Sequence, residues 1–99
     1  MDYQVIIGRP AQQDLVKIHD YIARHNPMAA QAFVGKLVEE AKSLKTFPQR
    51  GGQLKEKPGV RFTVVGPYLI VDRVVEIRQE VRVQRFWHAA RERRRLRRL

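Results

Sequence analysis

Three residues in the second half of the chain could act on a phosphate group: Arg61, Arg85 and His88. Cleavage of RNA by attack of a 2′-hydroxyl requires a base for that hydroxyl, an acid for the leaving 5′-oxygen and cations around the developing charge. The two arginines could supply the cations, and His88 could carry one proton. Each also has a structural interpretation. Arg61 could be a solvated arginine at a strand end, and His88 could hydrogen-bond a backbone carbonyl.

Arg85 interrupts an apolar series in the last predicted strand. The alternating residues Val81, Val83, Arg85 and Trp87 are expected to share one face. We therefore expect Arg85 to be paired, next to a β-bulge or at the rim of the core. Trp87 could stack on a base or anchor a partner, but at the end of a central strand it is expected to belong to the core.

Other patterns that carry chemistry are absent from the sequence. The chain has no cysteine, which excludes a disulfide scaffold, a thiolate zinc site and a cysteine nucleophile. His19 and His25 have no ligand partners at metal spacing, and the chain contains no Gly-rich phosphate loop, HExxH motif or Ser-His-Asp set. We predict no metal and no cofactor.

Positive charge is concentrated in the second half of the chain. The net charge is +10, and residues 49–99 hold 14 Lys and Arg against five Asp and Glu, which accounts for +9. This half is expected to meet a negatively charged partner. Residues 92–99 are a basic tail, expected to be frayed or to become helical with a partner. Its arginines could bind nucleic acid electrostatically or could serve to solubilise or dock the chain.

The N-terminal half is predicted to form a strand and a helical hairpin. Residues 3–7 are rich in β-branched side chains and predict a strand. A first helix is predicted from Pro10 to about Arg24, and a second begins after Asn26-Pro27, where Asn26 is a favourable N-cap. The first helix is expected to bury Ala11, Leu15, Ile18 and Ile22 and to turn Asp14, Lys17 and Asp20 away.

The C-terminal half is predicted to form three strands, at residues 61–65, 68–75 and 81 to about 87. Their connections are too short for crossovers, so the strands should be antiparallel neighbours. The order β-α-α-β-β-β predicts an α+β fold with an N-terminal strand and a helical hairpin packed on one face of an antiparallel sheet. Residues 1–91 would form this single domain, with the basic tail after it.

Seven motifs in this order resemble the ParE branch of the RelE/ParE toxin superfamily. They are Asp14-Leu15, Tyr21-Ile22, Asn26-Pro27 with Ala29-Ala30 and Phe33, Phe47-Pro48, Gly59-Val60-Arg61, Pro67-Tyr68-Leu69-Ile70 and Arg85-Phe86-Trp87-His88-Ala89-Ala90-Arg91. The last motif is the most specific, and the resemblance covers residues 3–91. It implies the RelE/ParE-like fold and a growth-inhibiting toxin of a type II toxin–antitoxin system, of the kind called plasmid stabilisation proteins.

The resemblance also implies a partner: a cognate acidic antitoxin, ParD-like or similar, that wraps a partly disordered acidic segment around the toxin in a hetero-oligomer. The expected residues for target or antitoxin binding are Arg61, Arg85, Trp87, Arg91, Arg94, Arg95 and Arg98. No apolar stretch approaches the roughly 20 residues that span a bilayer. We therefore expect no membrane association and a cytoplasmic protein.

Targets differ within the superfamily. ParE-like members poison DNA gyrase without known nucleolytic chemistry, whereas RelE-like members cut messenger RNA in the ribosome, often with a tyrosine or histidine near the end of the last strand. Beyond His88 this chain has neither, and Tyr3 and Tyr21 belong to the first strand and first helix. This departure favours a gyrase-directed toxin that is not an enzyme. The alternatives are a ribosome-dependent endoribonuclease that uses Arg61, Arg85 and His88, and a non-toxic basic module that binds nucleic acid.

Overall fold

The computed structural model describes residues 2–54 and 57–91 of the chain. Within these ranges it contains β1 (Gln4–Ile7), α1 (Arg9–Ala23), α2 (Pro27–Lys42), β2 (Gly52–Gln53), β3 (Val60–Val65), β4 (Tyr68–Val75) and β5 (Glu80–His88). Short 3-10 turns occupy Ser43–Lys45 and Glu76–Arg78. No helix in the described ranges is long and apolar enough to cross a membrane.

The strands form one five-stranded sheet in the order β1-β5-β4-β3-β2. Strands β3, β4 and β5 are antiparallel neighbours, as predicted. Strand β1 pairs in parallel with β5, from Gln4 opposite Glu80 to Ile7 opposite Val83. The predicted α+β architecture is confirmed, and the sheet is mixed because the chain returns to β1 only after the helical hairpin and the meander.

Two prolines and one asparagine set the ends of the helical hairpin. Pro10 lies in the first turn of α1 and Pro27 in that of α2, where the missing N–H removes no helical hydrogen bond. The Asn26 side chain accepts a hydrogen bond from the Ala29 N–H at 3.0 Å, so the predicted N-cap is confirmed. The connection between the two helices is short because Asn26 is both its last residue and the N-cap of α2.

Apolar side chains cover both faces of the sheet. The main core lies between the sheet and the helices, and its buried members are Ala11, Ile18, Leu37, Ala41, Leu44, Val65, Tyr68, Ile70, Val81, Val83 and Phe86. A second cluster lies on the opposite face and contains Val60, Leu69, Val71 and Trp87, with Leu54, Phe62 and Ala89 against it. Burying each large side chain contributes about 1.5–3 kcal/mol, so strands β4 and β5 are stabilised from both sides.

The short edge strand β2 was not predicted, because the sequence indicated only three strands in the second half of the chain. Strand β2 pairs antiparallel with β3, with Gly52 opposite Phe62. Gly51 has φ of +91°, and a Cβ there would lie 2.1 Å from the Phe62 carbonyl oxygen. The close approach of the two backbones therefore requires glycine at this position.

Candidate functional site

An ion pair between Asp14 and Arg85 joins α1 to β5. The Arg85 Nε donates to Asp14 Oδ2 at 2.8 Å, and its Nη2 donates to Oδ1 at 2.9 Å. The backbone N–H of Phe86 also donates to Oδ2, at 3.0 Å. Two parallel charge-assisted hydrogen bonds fix the orientation of the guanidinium. Arg85 is thus paired, which was one of the predicted arrangements.

The prediction that Asp14 faces away from the core was wrong, because its carboxylate is buried beneath the sheet. Asp14 follows the buried Ala11 by three residues and precedes the buried Ile18 by four. Those spacings place all three on the same side of a helix. The signal was therefore present in the sequence, but the charge of Asp14 argued against burial until its partner on β5 was known.

A β-bulge in β5 explains the position of Arg85. Val71 lies opposite Arg85 while the next residue, Asp72, lies opposite Val83, so Gln84 has no partner in the register. The extra residue reverses the alternation of side chains along the strand. Val83 consequently faces the helices, whereas Trp87 belongs to the cluster on the opposite face. The prediction that all four alternating residues share one face was wrong.

Trp87 lies within the second apolar cluster, with 4% of its surface exposed. The Arg85 guanidinium carbon is 5.0 Å from the centre of its ring system, a cation–π contact. The indole Nε1 is buried and has no hydrogen-bond partner among the described residues. Trp87 therefore packs against the Arg85 guanidinium and presents almost no surface to a partner.

Arg61 holds the segment that precedes β2. Its Nη2 donates to the carbonyl oxygen of Gln49 and, at 3.3 Å, to that of Gly51. Arg61 lies opposite Asp72 in the β3–β4 register. The guanidinium is thus engaged by backbone acceptors of its own chain.

Asp72 is a fully buried carboxyl, with 0% of its surface exposed. Neither of its oxygens has a hydrogen-bond partner among the described residues, and the same holds for Thr63 Oγ1 and Arg61 Nε. Burial raises the pKa of Asp72 from 3.8 to about 7, although the charges of Arg61 and Arg50 oppose part of the increase. Ionisation of Asp72 therefore lowers the free energy of unfolding.

The structure does not bring Arg61 and His88 together. Arg61 lies opposite Asp72, whereas His88 lies opposite Tyr68, four residues away along β4. At about 3.3 Å per residue this corresponds to about 13 Å along the strands. Arg85 is held by Asp14. The three candidate nuclease residues thus occupy separate environments.

A cluster that the sequence did not reveal surrounds His88. The rings of His88 and Tyr68 meet edge to face, with centroids 5.2 Å apart. The Arg91 Nη2 donates to the Tyr68 hydroxyl at 3.2 Å, and its guanidinium carbon lies 5.1 Å from the centre of the Tyr21 ring. The fold thus places two tyrosines in the neighbourhood of His88, although neither follows it in the sequence. We call Tyr21, Tyr68, His88 and Arg91 the aromatic–arginine cluster.

Further cations lie on the surface, including Arg73, Arg78, Arg82 and Arg91. The predicted binding residues Arg94, Arg95 and Arg98 lie outside the described residues. Within residues 2–54 and 57–91 no group of three or more His, Asp or Glu side chains could hold a metal ion. The described surface is therefore suited to anionic partners.

Comparison with known proteins identifies relatives over nearly the whole chain. The family model for the ParE toxin of the type II toxin–antitoxin system parDE matches residues 5–93. Toxin RelE2 of Caulobacter vibrioides is 38% identical over 88 residues, which cover 89% of this chain and 97% of that protein.

Two solved structures show the same fold. A chain of a chromosomal ParDE toxin–antitoxin system from P. aeruginosa matches with a TM-score of 0.74 and 29% identity, covering 87% of this chain and 95% of that one. A chain of the RelBE2 toxin–antitoxin complex from Mycobacterium tuberculosis matches with a TM-score of 0.66 and 24% identity, covering 89% and 92%. At that lower identity the second match supports the fold alone.

Proposed function

The chain belongs to the ParE toxin family of type II toxin–antitoxin systems, and we propose that it inhibits growth by binding DNA gyrase without cutting nucleic acid. The observation that carries this proposal is the engagement of both candidate nuclease cations. Arg85 is fixed by Asp14, and Arg61 is fixed by the carbonyls of Gln49 and Gly51. A cation that must surround a developing phosphorane charge would first have to leave these acceptors.

An acidic antitoxin is the second part of the proposal. The solved relatives include toxin–antitoxin complexes, and residues 49–99 of this chain carry +9 of its +10 charge. We propose that acidic residues of the antitoxin meet Arg91 and the arginines of the tail. Arg61 and Arg85 are held by acceptors of their own chain and Trp87 is buried, so these three residues would support this surface rather than contact the antitoxin directly. Binding of this kind would also stabilise the small toxin domain.

A ribosome-dependent endoribonuclease is the second candidate. It is supported by the aromatic–arginine cluster, in which His88, the Tyr68 hydroxyl and Arg91 provide groups that could carry protons and a positive charge. This set differs from the one based on Arg61 and Arg85. Tyr68 lies against His88 in this set, although the sequence indicated that no tyrosine accompanies His88.

Expression of the toxin in growing bacteria that carry a reporter plasmid separates the two candidates. Growth arrest with broken or linear plasmid DNA and intact transcripts is expected for a gyrase poison. Growth arrest with new 5′ ends at fixed codon positions in translated messages, and with intact plasmid, would instead support the nuclease. Co-expression of the cognate acidic antitoxin should restore growth in either case.

A further inference from the structure

A short segment of the chain is fastened to the sheet by Arg61. Residues 46–51, which we call the strap, connect the 3-10 turn after α2 to the edge strand β2. The Arg61 Nη2 donates to two carbonyl oxygens of the strap, those of Gln49 and Gly51. Gly51 also lies close to the sheet, since a Cβ there would be 3.0 Å from Thr63 Oγ1. One guanidinium on β3 thus holds the backbone of the strap in place.

The same guanidinium lies next to a buried carboxyl. Asp72 is opposite Arg61 in the β3–β4 register, and opposite residues of antiparallel strands have Cβ atoms about 4.5–5.5 Å apart. Asp72 is fully buried, and neither of its oxygens has a hydrogen-bond partner among the described residues. The Nε of Arg61 is likewise buried and without one in that part of the chain. Arg61 is therefore within reach of two sets of acceptors, the strap carbonyls and the Asp72 carboxyl.

The charges around Asp72 leave Arg61 as the group that can respond. Two positive charges act on Asp72, those of Arg61 and of Arg50 in the strap. Arg50 is already engaged, because its Nη2 donates to the Glu40 carbonyl at 3.2 Å and lies 3.4 Å from Glu40 Oε2. On the other side of β4, Val83 of β5 lies opposite Asp72 and brings no charge.

The outer side of the strap is attached separately, through Glu76. Its carboxylate accepts from Gln49 Nε2 at 2.7 Å and from the Tyr3 hydroxyl. A pocket of about 290 Å³ lies on this side, lined by Gln49, Gln53, Gly59, Arg61, Val74 and Glu76. Because Arg61 lines this pocket, its side chain has room to reorient.

We propose that the strap is a pH-dependent switch: Arg61 holds the strap carbonyls while Asp72 is protonated, and turns to the carboxylate and releases the strap when Asp72 ionises. A carboxylate is a stronger acceptor for a guanidinium than a neutral carbonyl is. A buried carboxylate without a partner is also costly. Ionisation therefore favours transfer of the guanidinium from one set of acceptors to the other. The switch needs no bond cleavage and does not depend on whether the target is gyrase or the ribosome.

The direction of the switch follows from the proton affinity of Asp72. Burial raises the pKa of Asp72 from 3.8 to about 7 while the strap is closed. Release of the strap gives the carboxylate water and Arg61, so its pKa returns towards the ordinary value. The closed form thus binds the proton more tightly, and its advantage is complete below about pH 4 and declines as the pH rises to about 7. About three pKa units correspond to a change of at most about 1,000-fold in the closing equilibrium.

Amide hydrogen exchange, measured by NMR on the full-length chain at pH 5 and pH 8, tests the proposal. Rates are divided by those of an unfolded chain at the same pH, which removes the intrinsic effect of pH. The Arg50 N–H donates to the Phe47 carbonyl at 3.1 Å within the strap. We expect its protection to fall at least about 10-fold from pH 5 to pH 8. Low concentrations of urea should leave this exchange unchanged, whereas the exchange of β4 amides through global unfolding should respond to urea.

The guanidinium itself provides a second measurement. The Nε resonance of Arg61, identified by its loss in Arg61→Lys, should shift between pH 5 and pH 8 as Nε–H begins to donate to the carboxylate. The shift should have the same midpoint as the loss of strap protection.

Three variants, each checked for folding by circular dichroism, assign the effect to Asp72. Asp72→Asn keeps the shape of the neutral carboxyl but cannot ionise, so strap protection should be the same at both pH values. Thr63→Val is the matched control, since it changes a nearby buried side chain and should keep the wild-type response. Glu76→Gln removes the other carboxylate that contacts the strap and should also keep the response.

Three results would overturn the proposal. The first is equal strap protection at pH 5 and pH 8 in the wild type. The second is a fall in protection that persists in Asp72→Asn or disappears in Glu76→Gln. The third is a fall that matches that of the β4 amides in size and in urea dependence, since this would show global unfolding and not release of the strap.

Discussion

Asp14 on α1 and Arg85 on β5 are 71 residues apart in the sequence and form a two-point ion pair between the helical layer and the sheet. The same carboxylate accepts the N–H of Phe86, just after the β-bulge. A bulge leaves backbone groups without ladder partners, and Asp14 supplies one acceptor at that point. The pair thus connects the packing of α1 to the position of the C-terminal half of β5.

Replacement of Asp14 by alanine should lower the free energy of unfolding by about 3 kcal/mol, because it removes the acceptor of two hydrogen bonds from the partly buried Arg85 guanidinium and of one from the Phe86 N–H. Asp14→Asn should cost less, since the amide oxygen can still accept from Phe86. Urea denaturation measures both. The control is Asp20→Asn, an exposed carboxylate on the same helix that should change stability by less than about 0.5 kcal/mol. Equal losses for Asp14→Ala and Asp20→Asn would contradict this role.

Asp72 should make stability depend on pH. Its pKa is raised from 3.8 to about 7 in the folded chain, so the folded state binds the proton more tightly than the unfolded state. Its contribution is therefore fully present below about pH 4 and is lost as the pH rises to about 7. Relative to wild type, Asp72→Asn should gain up to about 3 kcal/mol between pH 5 and pH 8.

The matched control for Asp72 is Thr63→Val, which leaves the carboxyl in place and removes a nearby buried hydroxyl that has no hydrogen-bond partner among the described residues. This variant should keep the pH dependence of the wild type. Denaturation curves at pH 5 and pH 8 for the three proteins provide the comparison. A stability difference between Asp72→Asn and wild type that stays constant with pH would show that Asp72 does not titrate in this range.

Replacement of Gly51 and of Gly35 by alanine should change the stability of the chain in opposite directions. Gly51→Ala should destabilise the chain by at least about 2 kcal/mol, because φ is +91° and the new Cβ would meet the Phe62 carbonyl at 2.1 Å. Gly35 lies in α2, and apart from its own helix backbone no described atom lies within 4 Å of the Cβ that alanine would add. Gly35→Ala should stabilise the chain by about 0.5–1 kcal/mol through helix propensity. Thermal unfolding of both variants measures the contrast, and a loss of similar size in the two would be inconsistent with the β2–β3 contact.

The cap of α2 provides a local test of the hairpin. Asn26→Ala removes the acceptor for the Ala29 N–H and should cost about 1 kcal/mol. Asn26→Asp keeps an acceptor at the same position and should be close to neutral. Denaturation by urea distinguishes the two. A loss for aspartate as large as that for alanine would mean that the side-chain oxygen does not cap the helix.

Local patterns were sufficient to predict most of the elements. Strand β4 was predicted with its observed ends, and Asn26-Pro27 located the start of α2. The parallel pairing of β1 with β5 could not be derived from local patterns, since it joins segments from opposite ends of the domain. The face occupied by Trp87 was also missed, because one unpaired residue at Gln84 reverses every later position and leaves no clear local signal.

The candidate site was only partly predictable, because two of its four residues come from distant parts of the sequence. His88 and Arg91 lie in one motif, so their proximity follows from the sequence. Tyr21 comes from α1 and Tyr68 from the start of β4, and both approach His88 only through tertiary packing. From the sequence, tyrosines outside the last strand were expected to lie far from His88. The sheet register, with Tyr68 opposite His88, overturns that assumption.

The most direct test of the proposed function is a DNA cleavage assay with purified gyrase, ATP, supercoiled plasmid and increasing amounts of the toxin. If the toxin poisons gyrase, the amount of linear DNA increases with toxin concentration, requires gyrase and disappears when the acidic antitoxin is added. A parallel reaction with translating ribosomes should leave the message intact. Normal supercoiling without linear DNA, at toxin concentrations that cut messenger RNA on the ribosome, would contradict gyrase as the target.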